Sequence, residues 1–202
     1  MFVEHPTVIN KNRRRLVYGV GTNDADYLIS YKDVNGVKQR CPYYSVWSGV
    51  LERCFSARRH ASQPSYKGCT LHEPWKSFSN FKDWMKTQEW ENKHIDKDLL
   101  SWENKHYSPN TCLFITPALN NLLCLRRNHR GDTPLGVSRT SINKYEYFVA
   151  SCSFYGKQKR LGYFKTSEEA QEVYQHAKMN YIKELAQAET DPRIRHALEN
   201  LH

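Results

Sequence analysis

Along PYYSVWSGVLERCFS, the apolar residues Tyr43, Trp47, Val50, Leu51 and Cys54 recur at three- and four-residue intervals, which predicts a helix after Pro42. WKSFSNFKDWMKTQEW repeats the pattern. Phe78, Phe81, Trp84 and Met85 fall on one face of a second amphipathic helix, and this spacing marks them as core rather than as platforms for stacking bases. Between the two helices, ARRHASQPSYKG reads as a polar loop bearing Arg58, Arg59, His60 and Lys67. Before Pro42 the chain is polar and turn-rich: GVGTNDADY at 19–27 reads as a turn and NG at 35–36 as a tight hairpin, with short strands expected over 15–20 and 39–41. HIDKDLLSWENKHYSPNTCLFITPALNNLL, residues 94–123, reads as a strand, a polar loop, a second strand and the start of a helix.

The pattern changes after Leu125. RRNHRGDTP is polar, ends in Pro134 and reads as a linker. Tyr145, Tyr147 and Val149 then alternate as in a strand, FYGKQKR makes a turn and RLGYF a further short strand. TSEEA opens a helix: Thr166 or Ser167 can cap it, with Glu168 and Glu169 near its positive end. Ala170, Val173, Tyr174, Ala177 and Tyr181 would line its buried face, and ETDPRIRHALENLH adds a short final helix. The expected class is α+β in two parts, residues 1–125 and 134–190.

Composition adds a partner. The 202 residues are 39% hydrophobic, and five Trp, eight Phe and thirteen Tyr are enough to build a core. The net charge of +9 suits a polyanion, because the field of a basic surface draws in nucleic acid. It would suit an acidic membrane too, but no apolar run approaches the ~18 residues of a spanning helix. MFVEHPTVINKNRRRLVYG has no signal-peptide pattern, so a soluble, cytoplasmic protein is expected. Reduced thiols are then the default for Cys41, Cys54, Cys69, Cys112, Cys124 and Cys152, which contain no C-x-x-C pair. The alternative is a structural Zn²⁺ built from Cys41, Cys54 and Cys69 with Cys112 or a histidine. The charge is uneven: nine basic residues between Arg126 and Lys165 face only Asp132 and Glu146, a net of +7. A solvated face is the plain explanation. Bases set beside Tyr and Phe on strands and loops favour a nucleic-acid surface.

Residues 94–123 resemble the HNH, or His-Me finger, nuclease motif. HIDKD stands for the end of its first strand, ENKHYSPNTCLFIT for its loop and second strand, and PALNN for the start of its helix. With YYSVWSGVLERCF and WKSFSNFKDWM beside it, the segment is similar to phage-encoded HNH endonucleases of the homing type. LGYFKTSEEA and the helix containing YQHAKMNYIK resemble the AP2-like DNA-binding module that often follows such a core. The likeness covers about three-quarters of the chain, the expected folds being a ββα-metal finger with helical support and a three-stranded sheet with one helix. It implies a metal-dependent endonuclease cutting or nicking double-stranded DNA in the host cytoplasm. The alternative is a catalytically inactive DNA-binding or inhibitory protein on the same fold.

Phosphodiester cleavage needs an activated water and a cation for the charge growing on the phosphoryl oxygens. Asp96 and Asp98 share a face if the strand is regular, and a carboxylate there with the amide oxygen of Asn120 could hold Mg²⁺ or Mn²⁺. Asn104 stands in the place of the family's loop asparagine, and Asn120 in that of its helix ligand. The sequence departs from the family at the catalytic histidine, whose place falls on Lys97 or Asp98. Asp98 could serve as base or ligand, and His94 or His106 could substitute as base. The structural alternative is that Asp96 and Asp98 cap the turn or pair with Lys93 and Lys97, and that Asn120 and Asn121 belong to the helix surface. The AP2 likeness implies DNA contacts from Arg139, Lys144, Tyr147, Lys157, Lys159 and Arg160, with Arg126 and Arg127 just before them.

Overall fold

The computed structural model describes residues 2–7, 14–101, 104–123 and 132–201. They form two compact units, Met1–Phe114 and Ile115–His202. The division precedes the composition shift at Leu125, so the helix expected to complete the first part falls in the second unit.

In the first unit, β1 (Ser30–Lys32) and β2 (Lys38–Arg40) make an antiparallel hairpin. Its turn is set by Gly36 at φ +75° and by Asp33, whose Oδ1 accepts from the amides of Asn35 and Val37 at 3.0 and 2.9 Å. Strands expected over 15–20 are instead a turn closed by a single Val17–Gly21 bridge. Pro42 opens α1 (Pro42–Phe55), which buries Tyr44, Trp47, Val50, Leu51 and Cys54. Tyr44, not Tyr43, takes the first place on that face; Tyr43 packs at the core's edge against Trp90. The loop expected after α1 contains a short helix, α2 (Ala57–Ser62), because the Ser56 side chain accepts from the amide of Arg59 and starts a turn that no apolar period announces.

Helix α3 (Phe78–Lys86) buries Phe78, Phe81 and Met85, with Trp84 half-buried against the same core. Its N-terminus is held by Asp24, whose carboxylate accepts from the hydroxyls of Ser77 and Ser79 at 2.7 and 2.6 Å and from the amide of Ser79 at 2.8 Å. Burial works against the charge of Asp24, yet these donors keep its carboxyl below the ordinary value. Helices α1 and α3 meet through Trp47 and Phe78, ring centroids 5.4 Å apart, and the Trp47 indole N–H donates to the Trp75 carbonyl at 2.7 Å. Four short strands complete the unit: β3 (Thr70–Leu71) pairs in parallel with β5 (His106–Tyr107), and β4 (His94–Asp96) pairs with β6 (Leu113–Ile115), which runs into the second unit.

The second unit begins with α4 (Pro117–Leu123) and continues with β7 (Val137–Ile142), β8 (Tyr145–Phe154) and β9 (Lys157–Phe164), an antiparallel sheet in that order. Both hairpins have two-residue turns with positive φ, Asn143–Lys144 at 49° and 71° and Tyr155–Gly156 at 48° and 78°, the geometry that matches strand twist. Thr166 caps α5 (Ser167–Ala188), accepting from the amide of Glu169. Val137, Ala150 and Ala170 form the buried centre between sheet and helix, with Phe148, Leu161, Phe164 and Tyr174 around it. Helix α5 buries Ala170, Tyr181, Ile182 and Ala186, whereas Val173 stays 36% exposed. The buried stripe departs from the expected one because α6 (Pro192–Glu199) covers α5 in turn, with Ile194 and Leu198 buried.

Gly136 precedes β7 at φ +79°, and a Cβ there would lie 2.1 Å from a ring carbon of Tyr174. Gly136→Ala is expected to destabilise this unit by about 2–4 kcal/mol, from overpacking and left-handed strain together. All five tryptophans lie before residue 115, so urea unfolding followed by far-UV circular dichroism, and not by tryptophan fluorescence, will report the loss.

Candidate functional site

Strand β4 ends at Asp96, and the chain turns there. The Asp96 Oδ1 accepts from the amides of Asp98 and Leu99 at 2.9 and 2.8 Å, so this carboxylate caps the turn. Asp98 therefore stands in the turn rather than two places along a regular strand, and the two carboxylates do not share a strand face. Burial pushes the Asp96 carboxyl above its ordinary value; the two amides oppose the shift and the Asp98 charge adds to it.

Lys97 is buried, its side chain 6% exposed. Its ammonium pairs with Asp98 Oδ1 and donates to the Asn104 carbonyl at 2.9 Å, 5.8 Å from the centre of the Tyr107 ring. Asn104 braces the far side of the loop. Its amide nitrogen donates to the His106 carbonyl at 2.9 Å, and its Oδ1 accepts from the His106 amide at 2.9 Å. His106 Nδ1 lies 2.8 Å from Thr70 Oγ1, which ties the loop to β3. His94 is exposed on β4. Asn120 belongs to α4 in the second unit, where its amide donates to the Thr116 carbonyl at 2.9 Å.

Arg53, which sequence reasoning did not single out, comes to the same region from the last turn of α1. Burial works against its charge, while the Tyr107 and Tyr66 hydroxyls and the Asp96 carboxylate hold its guanidinium protonated above the ordinary value. Its guanidinium also lies 5.8 Å from the centre of the Tyr66 ring. Beside Cys54 in a helical repeat, Arg53 has no sequence signal separating it from a surface arginine at a helix end.

The resemblance implies a divalent ion on these carboxylates. The donors do not fit one as they stand: one oxygen of Asp96 is committed to two amides, and an oxygen of Asp98 is committed to the Lys97 ammonium, whose positive charge repels a second cation. Among the described residues no group of three His, Cys, Asp or Glu side chains is placed to share a metal. Cys41, Cys54, Cys69, Cys112 and Cys152 are buried and unpaired with one another; burial pushes Cys54 and Cys112 up to about 12. Cys124 lies outside the described residues.

The sheet of the second unit divides the basic residues by register. Val137 and Ala150 are partners in the buried centre, so the residues that alternate with them face away from α5. Tyr147 and Tyr163 are on that outer face, their rings edge to face with centroids 6.5 Å apart. Arg160 joins them through a bulge: Ala150 pairs with Gly162 but Ser151 pairs with Arg160, and Leu161 is the extra residue. The Arg160 guanidinium lies over the Tyr163 ring at 5.1 Å and donates to its hydroxyl. Lys144 is at the tip of the β7–β8 turn. Arg139, Lys157 and Lys159 fall in register with Phe148, Phe154 and Cys152, on the α5 side, and the Arg139 guanidinium lies over the Phe148 ring at 5.6 Å. Arg126 and Arg127 lie outside the described residues.

Comparison with known proteins brings no match to a family model, a curated protein or a solved structure. Among the described residues no helix is long and apolar enough to cross a membrane.

Proposed function

We propose that this chain binds duplex DNA through the sheet face that carries Arg160, Tyr147 and Tyr163. The observation behind this reading is the presentation of Arg160: an exposed guanidinium laid on the exposed Tyr163, both on the edge strand β9 and on the face turned away from α5, with Tyr147 of the central strand beside them. A planar fork held in one orientation suits paired acceptors on a base edge, and Lys144 at the turn tip suits a phosphate.

The test is retention of a fluorescent duplex by the full chain across a salt series. Affinity is expected to fall with salt at a log–log slope of about −0.9 for each phosphate contact. Failure to retain duplex DNA at low salt would remove the proposal.

A second reading, hydrolysis of the bound duplex, has in its favour the order of β4, a loop braced by Asn104, β6 and then α4, and against it the donors of Asp96 and Asp98, which do not fit a divalent ion as they stand. It is decided by incubating supercoiled DNA with the chain in Mg²⁺ or Mn²⁺ and in chelator. Metal-dependent nicking that Asp98→Ala abolishes, with binding retained, would establish it.

A further inference from the structure

We propose that Lys97 is the resident cation of the 96–104 turn, its ammonium occupying the place between carboxylate and carbonyl oxygens that a divalent ion would otherwise fill. A buried ammonium is costly unless each of its donors is met by an oxygen or an aromatic face. Lys97 meets that condition: Asp98 Oδ1 supplies charge, the Asn104 carbonyl supplies a neutral oxygen, and the Tyr107 ring lies 5.8 Å away. Two hard oxygens from opposite sides of one loop, with the Asp96 carboxylate next to them, form the kind of donor set that Mn²⁺ or Ca²⁺ takes. The lysine reaches it from within the chain at no cost of association. Its positive charge also balances Asp98. The turn is thus held without an added ion, whether or not the second unit binds DNA.

The proposal predicts how the turn behaves when the ammonium is removed. Thermal melting is compared for wild type, Lys97→Ala and Lys97→Ala/Asp98→Asn, each as the full chain, in EDTA and in Mn²⁺. Wild type is expected to melt at the same temperature in both, and to bind no stoichiometric Mn²⁺ in equilibrium dialysis. Lys97→Ala is expected to melt roughly 5 °C or more lower in EDTA and to recover part of the loss in Mn²⁺, because the uncovered oxygens then accept an ion. The double variant, with the carboxylate charge gone, should lose the Mn²⁺ response. Stoichiometric Mn²⁺ binding by wild type would overturn the proposal, as would a Lys97→Ala protein that melts like wild type in EDTA or ignores Mn²⁺. The wild-type dialysis keeps the proposal open to refutation even if the variant does not fold.

Discussion

Arg160→Glu is expected to weaken binding to duplex DNA on the order of a hundredfold, whereas Lys183→Glu, the same change of charge on exposed α5, should stay within about threefold. The two substitutions alter net charge equally, so any shared loss measures the general field of the chain. The difference measures the sheet face. Arg160 loses a paired donor worth about 1–3 kcal/mol and gains a carboxylate that phosphates repel. Tyr163→Phe is a milder probe: it keeps the ring under the guanidinium and removes only the hydroxyl that accepts from it, so a small loss is expected. Fluorescence anisotropy at one fixed salt concentration is the measurement. Equal losses for Arg160→Glu and Lys183→Glu would show that the outer face has no special role.

Trp47→Ala should unfold the first unit or come close to it. Trp47 is fully buried where α1 meets α3, packs against Tyr44 and Phe78, and donates to the Trp75 carbonyl. Removing the ring leaves a large cavity, about 3–5 kcal/mol for such a truncation, and strips a buried carbonyl of its donor for about 1–3 kcal/mol more. Domains commonly hold only ~5–15 kcal/mol in all. Trp75, Trp84, Trp90 and Trp102 remain to report the change by fluorescence in urea. A midpoint within the error of wild type would mean that the α1–α3 contact is not the centre of this unit's stability.

The sequence by itself determined the helices α1, α3 and α5, the hairpin at Asn35–Gly36 and the presence of strands after Pro134, although the turn expected over FYGKQKR is only Tyr155–Gly156 and β9 starts at Lys157. Each is written locally, in apolar spacing, a capping hydroxyl or a glycine with positive φ. It also placed basic residues beside tyrosines in the last third of the chain. It could not say which of them share a face, because strict alternation would put Arg160 with Gly162 and Phe164 on the α5 side. One extra residue, Leu161, reverses that, and a bulge is a property of the pairing between strands rather than of either strand. The same limit applies to Asp96 and Asp98. Two residues apart, they share a face only while the strand continues; β4 stops because Asp96 accepts two amides beyond it. Lys97 between them looks like a solvent-facing lysine until Asn104 and Tyr107, seven and ten residues on, fold back around its ammonium. Local propensity is encoded residue by residue, but burial of a charge depends on which oxygens the path of the loop brings to meet it, and only the tertiary structure sets that path.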